Sequence, residues 1–370
     1  MLVPFRSCQR CLPHLAAGLK PLLLGALIGG LVACQSGAPS PREDSAADTD
    51  TVSTSSAEPA KVQGRDSLTA LQRRIGEDST DLKALLERAR INKELGKLEK
   101  AKLDLYQAQR LDSSQARTLK LLGEVMLEAN RSREARNYWR RCAAQNPDYL
   151  PCRLRLSRLF YTVGDFDKAL KWVNEALELD KYHAEIYFLK GLIVRDKTGD
   201  TSRALPYIQR ATELRTDYVE ALDAMGVMLS AQGDTLAPYY YQRILDIEPQ
   251  RADIHYKLGV YYMNQDRPNR AIEAYTKATE LNPTYADPYY NLGYMFIQMK
   301  DYATARDYFT KAIRAEPKKH KSYYGRGYAY EMLGDVINAR QDYQKVLELV
   351  PQHRPARKGL KRVQDANARP

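Results

Sequence analysis

Cysteine, histidine, tryptophan and phenylalanine are all scarce in this chain of 370 residues, at five, five, two and six copies. Five Cys are too few to build a disulfide-framed fold. His14, His183, His255, His320 and His353 are scattered, and nothing near them has metal-ligand spacing, so no metal and no cofactor is expected. No apolar run reaches the roughly 20 residues that a membrane-spanning helix needs. A nucleophile elbow, a P-loop and an HExxH are all missing, and no CxxC occurs after residue 33. Carboxylates such as Glu175 and Glu178 fall on helix faces where solvation is the default. These gaps argue against an enzyme and against a small-molecule substrate. The formal net charge is +11, but the charges are mixed along the helices rather than gathered, which argues against nucleic acid. What the chain does have is 44% hydrophobic residues, enough for a sizeable core, and 26 Tyr.

The first 33 residues read as a leader. Arg6, Arg10 and Lys20 form a positive region, and Leu22 to Ala33 is an apolar run too short for a comfortable span. The run ends in Leu31-Val32-Ala33-Cys34, which resembles the lipobox of bacterial lipoproteins. That resemblance implies cleavage before Cys34, lipid on its thiol and new amine, and stable attachment to a membrane, since several acyl chains hold where one is marginal. Gln35 rather than Asp after the Cys implies sorting to the outer membrane, facing the periplasm. Residues 34–66 then form a lipidated Cys and a disordered tether, rich in Ser, Thr, Ala, Pro and Asp and without aromatics.

The rest of the chain repeats itself. One Ala recurs as Ala101, Ala135, Ala169, Ala204, Ala237, Ala271, Ala305 and Ala339, at spacings of 33 to 35 residues. Four residues later comes a large apolar or aromatic residue (Leu105, Trp139, Val173, Ile208, Tyr241, Tyr275, Phe309, Tyr343), and seven later a small or apolar one. About twelve residues before each Ala sits a small residue, for example Gly123, Gly259 or Gly293. The +4 and +7 spacings place one stripe on a helix, and small facing residues let a second helix approach. Gly164-Asp165 and Gly334-Asp335 mark turns, and Pro147, Pro249, Pro283, Pro317 and Pro351 close units. The pattern predicts two helices per unit.

This pattern resembles the tetratricopeptide repeat (TPR) family, most closely in HYKLGVYYMNQDRPNRAIEAYTKATELNP and YYNLGYMFIQMKDYATARDYFTKAIRAEP. The resemblance implies an all-α fold, a right-handed superhelical solenoid of about eight helix-turn-helix units over 81–353. Departures are Arg88, Lys190 and Arg326 where Leu is usual, and Lys181 and Thr216 where the closing Pro is usual. Residues 67–80 are expected as an N-terminal capping helix with Ser67 as its N-cap, and 354–370 as a C-terminal capping helix and basic tail.

The family's first helices line a concave groove. Carried onto this chain, the early groove is charged (Lys83, Arg90, Lys93, Lys120, Glu124, Arg158, Arg195) and the late one aromatic (Tyr256, Tyr290, Tyr294, Tyr324, Tyr328). Eighteen of the Tyr lie between 239 and 343. Tyr suits binding surfaces because it offers a broad face, a polar tip and little entropy to lose. The alternative is that these rings fill spaced core positions, as Tyr275 and Tyr343 do. Lys257 and Asn291 recur at one position of successive units, a fragment of the family's carboxylate clamp. Cys142 and Cys152 flank the turn between units two and three; either they bridge, or Cys142 is simply a small core residue.

The expectation is a lipid-anchored envelope adaptor or scaffold that binds a protein or peptide segment in its groove, in the assembly of a secretion, pilus or cell-wall complex. The alternative is a structural or glycan-binding envelope lipoprotein. A glycan site leans on Trp, and Trp139 and Trp172 are not at groove positions.

Overall fold

The computed structural model describes residues 58–367; the leader, Cys34 and the tether up to residue 57 lie outside the described residues. Among the described residues there are 18 α-helices and no strand. They form two compact bodies, divided after Ala169. The N-terminal body holds α1 (Glu58–Glu77), α2 (Leu82–Glu94), α3 (Leu98–Leu111), α4 (Ala116–Glu128), α5 (Ser132–Gln145), α6 (Leu150–Thr162) and the start of α7 (Phe166–Leu179). The C-terminal body holds the rest of α7, α8 (Ala184–Thr198), α9 (Thr201–Leu214), α10 (Val219–Gln232), α11 (Ala237–Ile247), α12 (Ala252–Asn264), α13 (Pro268–Leu281), α14 (Ala286–Gln298), α15 (Tyr302–Ala315), α16 (His320–Met332), α17 (Val336–Leu349) and α18 (Arg354–Asn367).

The repeat phase read from the sequence is the packing phase. All eight recurring Ala are fully buried, and so are the residues four and seven positions later, none more than 2% exposed. The small residues on the first helices exist because the ring at the +4 position lies directly against their backbone. A Cβ at Gly123 would fall 2.1 Å from the Trp139 indole, and one at Gly259 would fall 2.4 Å from the Tyr275 ring. The five closing Pro each lie in the turn just past a second helix, where the missing N–H costs nothing.

The turn inside each helix pair also repeats. Gly96, Asn130, Gly164, Gly199, Gly233, Asp266, Lys300 and Gly334 all have positive φ, between 54° and 79°. A left-handed residue lets the chain reverse after the first helix. Asp301 and Asp335, each following such a residue, then cap the second helix by accepting from Thr304 and Asn338 N–H at 3.1 Å.

The departures from the repeat pattern are paired. Arg88 Nε and Nη2 donate to Asp104 at 3.0 and 2.6 Å, and Arg326 makes the same fork to Asp342 at 2.8 and 2.8 Å. Asp104 and Asp342 occupy the position three after the anchor Ala, which holds Tyr207, Tyr240 and Tyr308 elsewhere. Lys190 lies 5.0 Å from the centre of the Tyr207 ring. Each basic residue in a Leu position is thus answered across its own helix pair by a carboxylate or a π face.

Two local expectations differ from the structure. The helix expected to start at Ser67 begins at Glu58, so Ser67 lies inside α1 and is not its N-cap. Pro59 is tolerated in a first turn, and the one glycine ahead of Ser67, Gly64, costs only about 1 kcal/mol relative to Ala. Helix propensity therefore carries the helix back through what composition alone assigned to the tether. At the other end α18 lays Ala356 and Val363 against Tyr343 and Val346.

Candidate peptide-binding face

Tyr256, Tyr290 and Tyr324 stand 34 residues apart on α12, α14 and α16. Each ring packs on the aromatic residue of its own repeat: Tyr256 on Tyr275, Tyr290 on Phe309 and Tyr324 on Tyr343, with centroids 5.8, 5.8 and 5.9 Å apart. Two of them also meet the residue that opens the next first helix, Tyr256 at Tyr285 (5.2 Å) and Tyr324 at His353 (5.1 Å). Lys319, in the equivalent place, acts electrostatically on Tyr290. These three rings are half-buried rungs, two of them held from two sides. Burial raises all three hydroxyls above the usual phenol range. They remain neutral donors and acceptors at any physiological pH.

Tyr294 and Tyr328 lie one helical turn further along α14 and α16. Tyr294 is the open member of the set, 45% exposed, and Tyr328 is half-buried with its ring edge-on to Tyr302 at 6.5 Å. The five rings therefore divide into four half-buried ones (Tyr256, Tyr290, Tyr324, Tyr328) and one open ring, Tyr294. Sequence reasoning grouped all five because it saw one helix face and not the second-helix rings beneath it.

Asn291 and Lys257 are not a free clamp. Asn291 opposes, at the Tyr256 and Tyr275 hydroxyls, the rise in pKa that burial causes. Lys257 Nζ donates to both oxygens of Asp223 on α10, at 2.6 and 2.8 Å. Lys319 bonds Asp287 on α14 and donates to Glu316 at 2.9 Å. The two lysines at the edges of this face are thus paired within the protein. Tyr285, His353 and Asp223 were missed from the sequence. The signal was present in the spacing, since Tyr256–Tyr285 and Tyr324–His353 share one offset.

In the N-terminal body Cys142 on α5 and Cys152 on α6 are joined by a disulfide, with their Cα atoms 6.2 Å apart, and both are fully buried. Among the described residues no group of three or more His, Cys, Asp or Glu is placed to hold a metal ion, and no helix is long and apolar enough to cross a membrane. Trp139 is buried under Gly123, with its indole N–H donated to the Lys120 carbonyl at 3.1 Å.

Comparison with known proteins agrees with this architecture. Family models described as tetratricopeptide repeat match residues 82–115, 126–193, 252–285 and 290–354, together more than half of the chain. The chain belongs to the tetratricopeptide repeat family. The crystal structure of the C-terminal part of a TPR repeat-containing protein from Cytophaga hutchinsonii superposes with a TM-score of 0.55. It is 20% identical, over 64% of this chain and 98% of that one. The first TPR of Spaghetti (RPAP3), solved with the HSP90 peptide SRMEEVD, is 28% identical over 32% of this chain and 95% of its own, with a TM-score of 0.32. Human protein O-mannosyl-transferase TMTC1 is 28% identical over 160 residues, 42% of this chain. The match spans only 18% of that protein's length.

Proposed function

We propose that this chain is an adaptor or scaffold of the bacterial cell envelope, held by lipid on Cys34 and most naturally placed at the outer membrane facing the periplasm. Its C-terminal body binds a protein or peptide segment along α12, α14 and α16, and it has no chemistry of its own. The observation that carries the reading is the tyrosine face. Three rings are each packed on the aromatic residue of their own repeat, and Tyr294 stands open beside them, in repeats where Lys257 and Lys319 already have partners. Pre-positioned rings lose little entropy when a partner covers them. Assembly of a secretion, pilus or cell-wall complex is the role in which such an anchored adaptor fits. The transferase activity named for the human relative belongs to a protein of which this chain matches a small part, and it is not carried over.

The test is capture in intact cells with reversible cross-linking. The full chain is compared with a Tyr294→Ala/Tyr328→Ala copy, and each with a Cys34→Ala copy. The reading expects one protein to be enriched by the full chain and lost with the tyrosine variant, and fatty-acid labelling to be lost with Cys34→Ala. Equal capture by both baits would place binding off the tyrosine face, and unchanged labelling would remove the lipid anchor.

A further inference from the structure

The last helix, α18, has two unlike sides. On one, Ala356, Gly359 and Val363 are buried, and a Cβ at Gly359 would fall 2.6 Å from the Tyr343 ring. The other carries Arg354, Arg357, Lys358 and Lys361, all exposed. Offsets of three, four and seven residues set these four in a single stripe about 10 Å long. Asp365 is the only acid in α18. Among the described residues none of the four cations has an acidic partner. Arg357 donates instead to the Pro351 carbonyl at 2.9 Å, and Arg362, beside the stripe, takes both oxygens of Glu331 at 2.6 and 2.8 Å. The His320 and His353 rings, 5.6 Å apart, bring the start of α16 alongside, where Lys321 is also exposed.

This arrangement works against the helix that carries it. On α1, α13 and α17 an exposed cation has an acid one turn away: Arg73 with Glu77 at 3.6 Å, Lys277 with Glu280 at 3.1 Å and Lys345 with Glu348 at 2.8 Å. On α18 the neighbours one turn apart are like charges, Arg354 with Arg357 and Lys358, and both of these with Lys361. Arg354 and Arg357 also stand at the N-terminal end, where the helix dipole disfavours positive charge. Solubility would be served as well by mixed charges. An anionic surface laid on the stripe would relieve the repulsion and the dipole together.

We infer that the outward face of α18 is a docking surface for an anionic phospholipid membrane, with Arg354, Arg357, Lys358 and Lys361 lying on the headgroup phosphates. It goes beyond the tyrosine face and does not depend on lipid at Cys34. The stripe projects from one convex helix that has no aromatic residue, so a nucleic-acid base would find nothing to stack on and a peptide side chain no ring to cover. Phospholipid headgroups need neither, because they move laterally to meet fixed charges. Each cation brought to such a surface adds about a fivefold gain in binding. A stripe of this size holds weakly alone and well beside a second attachment.

The experiment is amine footprinting of the full chain with phosphatidylcholine vesicles, with and without phosphatidylglycerol. Labelling of Lys358 and Lys361 is read by mass spectrometry, and exposed Lys311 on α15 is the control. Phosphatidylglycerol should slow both lysines severalfold, leave Lys311 unchanged, and lose its effect as salt rises. Arg354→Glu/Arg357→Glu should abolish the slowing, since reversing two cations weakens surface binding by more than about twentyfold. Its melting temperature should hold or rise, because acids suit the start of a helix. If that chain does not fold, Lys358→Gln, read at Lys361, decides in its place. Equal labelling with the two kinds of vesicle, or full slowing in the variant, would overturn the inference. So would equal slowing by inorganic phosphate, by a peptide alternating glutamate and serine, or by a single-stranded oligonucleotide, each of which would give the stripe another partner. The Cys34→Ala chain should show the same slowing: fatty-acid labelling lost with slowing kept bears on the anchor alone, and slowing lost in that chain would place lipid binding in the anchor and not in α18.

Discussion

Lys300 is the residue most visibly out of place. It holds the left-handed position of its repeat at φ 61°, where five of the eight equivalents are glycine. A Cβ in that region costs roughly 1–2 kcal/mol, which Asn and Asp partly relieve and lysine does not. Lys300→Gly is therefore expected to stabilise the chain by about 1 kcal/mol despite glycine's freedom when unfolded, read as a shift of the denaturation midpoint. A loss of stability would mean that the Lys300 side chain makes up for the strain elsewhere. At this scale the sequence was legible wherever one residue type recurred. The alanine stripe and the +4 residues are buried as their spacing demands. The turn was legible at Gly164 and Gly334 but not at Asn130, Asp266 or Lys300, where the backbone requirement is the same and the residue does not announce it.

At the scale of helix pairs, the departures from the pattern prove to be compensated. Asp342 answers Arg326 in a pair only 6% and 19% exposed at the side chain. Asp342→Ala should cost about 3 kcal/mol by stranding a mostly buried guanidinium. Arg326→Leu/Asp342→Tyr restores the combination that Leu292 and Tyr308 show in the preceding repeat, and should return most of the loss. If the single and double variants melt alike, the pair carries no coupling. Sequence reading found Arg326 odd because it compared one position across repeats, whereas the explanation lies at a second position in the same repeat.

The last helix adds a pH dependence. His353 Nδ1 accepts the Ala356 N–H at 3.1 Å, which caps α18, and its ring lies 5.6 Å from that of His320. Burial, then His320, lowers the His353 pKa; burial, then Lys321, lowers that of His320. Tyr324 is the other ring packed on His353, its centroid 5.1 Å away. The folded chain thus prefers neutral imidazoles, while the unfolded chain takes up protons near pH 6.5. Stability is full above that pH and is lost as pH falls through it toward the lowered folded values. The melting temperature should drop between pH 7 and 5.5, and His353→Asn, a cap that does not titrate, should flatten that drop. An identical slope in the variant would remove His353 from the account.

At the scale of the whole chain, the fold was the most legible property and the candidate tyrosine face the least. Repetition declares itself in one dimension, since a period near 34 with a fixed stripe admits few structures. A face built across repeats does not. Tyr290 looks as free as Tyr294 until Phe309, nineteen residues away, is seen beneath it. The same holds for Lys257, which belongs to Asp223. These partners are fixed by how one helix pair settles on the next, and no single-position pattern records that.

The most direct test of the account is site-specific photo-cross-linking in living cells, with a photoreactive phenylalanine in place of Tyr294. The same substitution at Lys311, exposed on the second helix of that repeat, serves as the control. The account predicts a discrete adduct from position 294 that is absent from position 311 and is lost when Tyr328 is changed to Ala. The same adduct from both positions, or none from 294, would contradict it.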